Sequence, residues 1–289
     1  MAAGRGNAAG RGAGGAAVSR LALACLGVLL AALTPVAAAA DRRAETVVLK
    51  DFAALGSGDV DGLAAQFAPQ FEMYGLPAEP LALEGKLSTR MRTREELRAF
   101  FRTAFLDQPP APHRVEQMLS LGDLVVVRVA THLPDGTPPD HAFTAFRVGT
   151  DGIERIWHIA READAGPQSG QDALEVVRRL GEANNRGDAE AFVALYHPQA
   201  KHFHARHARD RFGGAESATP PDADARLRYY RELYARGAPA QVSLIDSVAL
   251  GEWVAALERY RGGGRPEREH LSLYRVRDGA ILAEWHVAP

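Results

Sequence analysis

His202 and His204 stand two residues apart in the run Gln199-Ala200-Lys201-His202-Phe203-His204. If that run is a strand, the two imidazoles share a face. Imidazole changes charge near neutral pH, so the pair suits general acid–base chemistry. With a third His or a carboxylate the same pair would suit zinc or a similar ion. A solvated rim is the third reading. His286 closes the sequence's last apolar run, and Glu284 or Glu258 could orient an imidazole. His204, His202, His286 and Glu284 are therefore the catalytic candidates, and no metal centre or cofactor is assigned.

A second group could line a ligand pocket: Trp285, Phe203, Glu258, Tyr74 and Trp157. The two tryptophans read equally as core anchors, since the same strand pattern puts a large apolar residue there twice. Glu72 and Tyr74 form a carboxylate–phenol pair or a solvated face. Arg128 and Glu258 each interrupt an apolar strand, and such a charge points into a pocket, an interface or the outer face. The single cysteine, Cys25, falls in an apolar run near the start, so the body of the chain has no thiol nucleophile. No nucleophile elbow, phosphate loop or nucleotide fingerprint is present.

The elements that must position these residues occur twice. Ile153-Glu154-Arg155-Ile156-Trp157-His158 is echoed by Ile281-Leu282-Ala283-Glu284-Trp285-His286. Each follows an Asp-Gly turn, Asp151-Gly152 and Asp278-Gly279, which is a hairpin signal. Gly58-Asp59 through Pro69-Gln70 is echoed by Gly187-Asp188 through Pro198-Gln199, and Leu121-Gly122-Asp123 by Leu250-Gly251-Glu252. Anchors repeated in one order mark a duplicated domain. Each copy reads as a helix, a short helix, a strand, a third helix and four strands. Helices are expected over Glu45 to Leu55, Val60 to Phe67 and Thr93 to Leu106, and again over Ala173 to Asn185, Ala189 to Tyr196 and Asp224 to Arg236. Helices segregated on one face of a mainly antiparallel sheet make an α+β architecture. A curved sheet around them leaves a conical cavity suited to a small ligand. The first strand of each copy differs: Phe71, Met73 and Gly75 in one take the places of Ala200, His202 and His204 in the other. The second copy is thus expected to hold the more polar cavity.

Residues 1 to 40 read differently. Arg5, Arg11 and Arg20, an apolar run from Leu21 to Leu33, and Ala38-Ala39-Ala40 have the pattern of a cleaved signal peptide. An uncleaved anchor, lipidation at Cys25 and a low-complexity start with no targeting role are the alternatives. The expected boundaries are 1–40 for the leader, 41–163 for the first domain, 164–170 for a linker and 171–289 for the second domain. Location is then secreted or periplasmic, with no stable membrane span after cleavage. The formal net charge is −2, with no basic block, which argues against nucleic acid.

The x-Gly-Asp helix end, the aromatic-x-Pro strand entry and the closing Asp-Gly-x-Ile-x-x-x-Trp hairpin resemble the SnoaL-like branch of the nuclear-transport-factor-2-like superfamily, in both halves. The resemblance implies tandem cone-shaped domains, each with three helices on a curved sheet, pairing through their sheets as an internal pseudo-dimer, with a homodimer as a further level. It implies relatives among polyketide cyclases, ketosteroid isomerases and non-catalytic binding modules. The carboxylate of the aldol-type members is replaced by His286 and His158. At the ketosteroid isomerase base position stand His204 and Gly75. At the oxyanion-hole positions stand Leu180 and Asp51, Ser272 and Thr144. The expected function is a small-molecule pocket, a His-based lyase, isomerase or cyclase for a hydrophobic ring or carbonyl compound. The alternative is a non-catalytic binding or assembly module.

Overall fold

Two sheets, each carrying helices on its outer face, pack against one another through their inner faces. The computed structural model describes residues 42–79, 81–133, 136–204, 215–216 and 222–287. The expected leader and the Gly213-Gly214 loop lie outside these.

The first half begins with helix α1, residues 42–57, followed by α2 (Val60–Ala65) and β1 (Phe67–Tyr74). Helix α3 (Arg94–Asp107) starts at a capping box, with the Thr93 hydroxyl and the Glu96 carboxylate each bonding the other's backbone N–H. Strands β2 (His113–Leu121), β3 (Leu124–Thr131), β4 (Asp140–Gly149) and β5 (Gly152–Ala163) complete the half. Their order is β1-β5-β4-β3-β2, all pairs antiparallel except β1 with β5.

The second half repeats the plan with α4 (Gln171–Arg186), α5 (Ala189–Val193), β6 (Tyr196–His204), the two-residue β7 (Ala215–Glu216) and α6 (Ala223–Ala235). Strands β8 (Gln241–Leu250), β9 (Trp253–Gly262), β10 (Arg265–Arg277) and β11 (Ala280–Val287) follow. The sheet runs β7-β6-β11-β10-β9-β8, with β6 and β11 parallel. The Asp278-Gly279 turn has positive φ at both residues (52° and 76°), as a two-residue primed turn requires.

Two helices are shorter than their periodicity predicts. The pattern extends α5 to Tyr196, but α5 stops at Val193 and Tyr196 pairs in parallel with Ile281. Likewise α2 stops at Ala65 and Phe67 pairs with Ile153. In each case the last strand offers open backbone groups. The amide of Ile281 bonds the Leu195 carbonyl, and that of Ile153 bonds the Gln66 carbonyl. Those bonds outbid one more helical turn.

Three cores result. One lies beneath the helices of each half: Val48, Phe52, Phe67, Phe71, Leu97 and Phe146 in the first, Val177, Leu180, Phe192, Tyr196 and Tyr274 in the second. The third joins the two sheets and contains Leu119, Phe143, Trp157, Leu250, Trp253, Leu273 and Trp285. Trp157 and Trp285 are each 1% exposed there. They anchor the contact between the halves, as their core-anchor reading expects, and neither is among the residues that line the cavities described below. Phe203 stacks on Trp285 with ring centroids 5.5 Å apart, and Tyr74 stacks on Trp157 at 6.1 Å. Both belong to this core margin as well. The two halves thus fit an internal pair.

Arg128 belongs to the same contact. It is 3% exposed, and its Nε lies 3.0 Å from Glu116. Its other nitrogens donate to the carbonyls of Ala165, Gly166, Ser169 and Ala249.

Candidate functional site

Alternation along β9, β10 and β11 decides which side chains face the helices of the second half. On β11, Ala283 and Trp285 point to the other sheet, so Glu284 and His286 point into the cone. On β10 the cone side takes Ser272 and Tyr274, and on β9 Glu258 and Tyr260. On β6 it takes Ala200 and His202, as the period-two reading expects. Helices α4, α5 and α6 close the other side with Leu180, Phe192 and Tyr230. Between them is a cavity of about 160 Å³, lined by two carboxylates, one imidazole and four tyrosines.

The polar groups form one continuous network. Glu284, 3% exposed, accepts from Tyr196 Oη at 2.9 Å. Its Oε1 forms an ion pair with His202 Nδ1 and lies 3.2 Å from His286 Nε2. Glu258, 5% exposed, accepts from Tyr274 Oη at 2.8 Å, Tyr260 Oη at 3.1 Å and Ser272 Oγ at 2.7 Å. His286 Nδ1 stands 2.8 Å from Ser272 Oγ. Since the serine gives its proton to Glu258, its oxygen accepts from the imidazole. The His286 ring then donates on both sides and bridges the two carboxylates.

The electrostatics agree with that assignment. Burial works against a charge on His286, but Glu284 and, farther off, Glu258 outweigh it and raise its pKa. Burial also works against the Glu284 charge, yet His202 and His286 hold its pKa well below the usual carboxylate range. Burial, together with the carboxylates, pushes Tyr196, Tyr260 and Tyr274 well above the usual phenol range, so all three remain donors. Arg226, completely buried on α6, holds the network from behind. It donates to the Ala200 and His197 carbonyls and sits 5.2 Å from the centre of the Tyr196 ring.

Of the sequence candidates, His202, His286, Glu284 and Glu258 come together here. His202 stands behind the cavity wall, stacked on Tyr196 at 4.9 Å. His204 pairs through its backbone with His286, and its side chain lies outside the described residues. Tyr74 is in the other half, where its hydroxyl donates to Glu72 at 3.0 Å and Glu72 pairs with Arg155. Tyr196, Tyr230, Tyr260, Tyr274 and Ser272 were not singled out as ligand contacts by sequence. Among the described residues, no group of three or more His, Cys, Asp or Glu is placed to hold a metal ion, and no helix is long and apolar enough to cross a membrane.

Strand register gives the first half's counterparts. Phe67, Met73, Val129, Thr144, Phe146, Ile156 and His158 occupy the places of Tyr196, His202, Glu258, Ser272, Tyr274, Glu284 and His286. The network's polar groups become mostly apolar ones, and burial lowers the pKa of the remaining His158.

The profile of the SnoaL-like domain family matches the chain twice, over residues 48–159 and 177–284. The chain belongs to that family. Both SnoaL-like copies coincide with the two sheets and their helices. Among solved structures, a loop-truncation variant of IdmH is 30% identical, covering 40% of this chain and 91% of that one, with a TM-score of 0.32. Wild-type IdmH from Streptomyces antibioticus, described as a candidate polyketide cyclase, is 26% identical over 40% of this chain and 91% of its own, with a TM-score of 0.30. A candidate ketosteroid isomerase from Kribbella flavida DSM 17836 is 15% identical over 42% and 79%, with a TM-score of 0.33. Among curated proteins none matches this SnoaL-like chain.

Proposed function

We propose that the second SnoaL-like half is an acid–base site for a small ring or carbonyl compound and that the first half is its structural partner. The observation that carries this is the asymmetry of the two cones. One fold, duplicated, fills the first cone with apolar bulk and gathers two carboxylates and two imidazoles in the second. Buried charges are costly unless paired, and stability alone gives no reason to concentrate them in one cone. Perturbed titrations in a cleft are what acid–base chemistry needs.

In this reading the Tyr230 hydroxyl polarises the ligand's oxygen, since the other three cavity tyrosines donate to the carboxylates, and a cavity carboxylate accepts a proton from the neighbouring carbon. The His286 imidazolium returns one. The path from Glu284 through His286 and Ser272 to Glu258 lets the two carboxylates exchange charge without bulk water. The second reading, a non-catalytic binding module, draws on the fact that both ring nitrogens of His286 are already engaged. The two readings separate experimentally. His286→Phe should abolish turnover of cyclic ketones, followed as exchange of α-protons in deuterated water, under conditions where a cooperative melt shows that the variant, weakened by the loss of a buried charge partner, is still folded. The pH profile of wild type should follow protonation of His286, with activity falling above its raised pKa. Binding of such ketones with no exchange at any pH would support the binding module instead. No binding and no exchange would remove both.

The leader pattern adds export to this proposal. Protein recovered from its native host should begin at or near Asp41, and terminal sequencing that finds Met1 or Ala2 on intact intracellular protein would remove it.

A further inference from the structure

The inner cavity is too small for a whole ligand. Ordinary ligand pockets occupy about 300–1,000 Å³, and this one about 160 Å³. It opens beside a second, larger hollow of about 730 Å³, with which it shares Asn184 and Tyr260. The outer groove lies between the end of α6 and the β9–β10 turn. Its walls are largely apolar, with Leu233, Tyr234, Pro239 and Pro266 among them.

The charges of the two compartments are opposite. The inner one holds Glu258 and Glu284. The outer one holds Arg236 and Arg268, and its described lining includes no carboxylate. Arg236 leans on Glu232 at 3.5 Å, an exposed pair of little strength. Arg268 is half-buried, and no carboxylate among the described residues lies within ion-pair distance of it. Its guanidinium carbon is 5.7 Å from the centre of the Tyr260 ring. Tyr260 is thus the partition: its hydroxyl bonds Glu258 inside while its ring carries a cation outside. A guanidinium set over a ring face keeps its N–H fork available for a carboxylate or phosphate. In the first half the register places Asp140 where Arg268 stands, so the opposite charge occupies this rim.

We propose that the outer groove is a second subsite, which takes the anionic end of an amphipathic ligand whose ring enters the cone. The ligand class is an aryl or alicyclic acid, with Arg268 determining specificity for its charge. This rests on the acid–base reading of the inner cavity, and the test separates the two. The probes are 1-naphthylacetic acid and its uncharged amide, bound to the full chain and followed by calorimetry. Wild type should bind the acid about tenfold tighter than the amide, the usual scale of one charge-assisted contact. Arg268→Gln should remove that preference at an unchanged melting temperature, and Arg268→Lys should keep part of it. His286→Phe should weaken both probes alike. Equal affinity for acid and amide in wild type, or a preference that survives Arg268→Gln, overturns the subsite and leaves the inner site standing. Binding of neither probe overturns both.

Discussion

Replacing Asp51 with asparagine is expected to stabilise the chain by about 4 kcal/mol more at pH 8 than at pH 4. Asp51 lies on α1 within the first cone, 4% exposed, and its Oδ1 has no hydrogen-bond partner. Burial alone raises its pKa from 3.8 to about 7. Between those values the folded state keeps a proton that the unfolded state has lost. Stability must therefore fall as pH rises from about 4 to about 7, and stay low above. Asparagine keeps the shape and cannot ionise, so it removes the pH-dependent part. The second half offers a natural control, because Leu180 fills the matching helix position and is buried. Asp51→Leu should accordingly stabilise at every pH. Urea unfolding of wild type and Asp51→Asn at pH 4, 6 and 8 measures the effect. Parallel stability curves for the two would show that Asp51 ionises in the folded chain at its ordinary pKa.

The duplication and the fold class are legible in the sequence because turns and hairpins are local. An Asp-Gly pair between apolar runs needs no tertiary information to be recognised. The inward face of β6 is legible for the same reason: period two places Ala200 and His202 together. The same period on β11 sets Trp285 against Glu284 and His286, so its place outside the cone follows once the cone side is fixed. What sequence does not resolve is the choice between the two faces of a sheet that is buried on both. There apolar, aromatic and polar residues all occur, and alternation loses its contrast. Tyr260 and Tyr274 look like core residues until Glu258 is seen to accept both hydroxyls. Tyr196 looks like the end of a helix, because parallel pairing with a strand 85 residues later leaves no local mark. Arg128 remains ambiguous in sequence for a related reason. Its partners are backbone carbonyls from the segment between the halves and from β8, and no residue type announces a carbonyl.

Arg128→Met is expected to destabilise the chain by about 3–5 kcal/mol, the usual cost of breaking a buried charge pair from one side. The substitution strands Glu116, whose side chain is only 26% exposed and which His141 approaches at 3.5 Å. It also removes the donors that four carbonyls share: Ala165, Gly166 and Ser169 between the halves, and Ala249 on β8. The two losses can be told apart. If the stranded carboxylate dominates, adding Glu116→Leu to Arg128→Met should recover most of the stability, because a buried pair replaced by apolar residues costs little. If the carbonyls dominate, the double variant should remain as weak as the single one, since no apolar side chain can donate to them. The matching position in the second half is Leu257, packed at the margin of the inter-sheet core, so an apolar residue fits this kind of site sterically. Four donated hydrogen bonds outnumber one ion pair. The expected outcome is therefore recovery of less than half of the loss in the double variant. Chemical denaturation of both variants and of wild type at pH 7 measures it. Full recovery would show that Arg128 serves only to neutralise Glu116 and does not clasp the two halves.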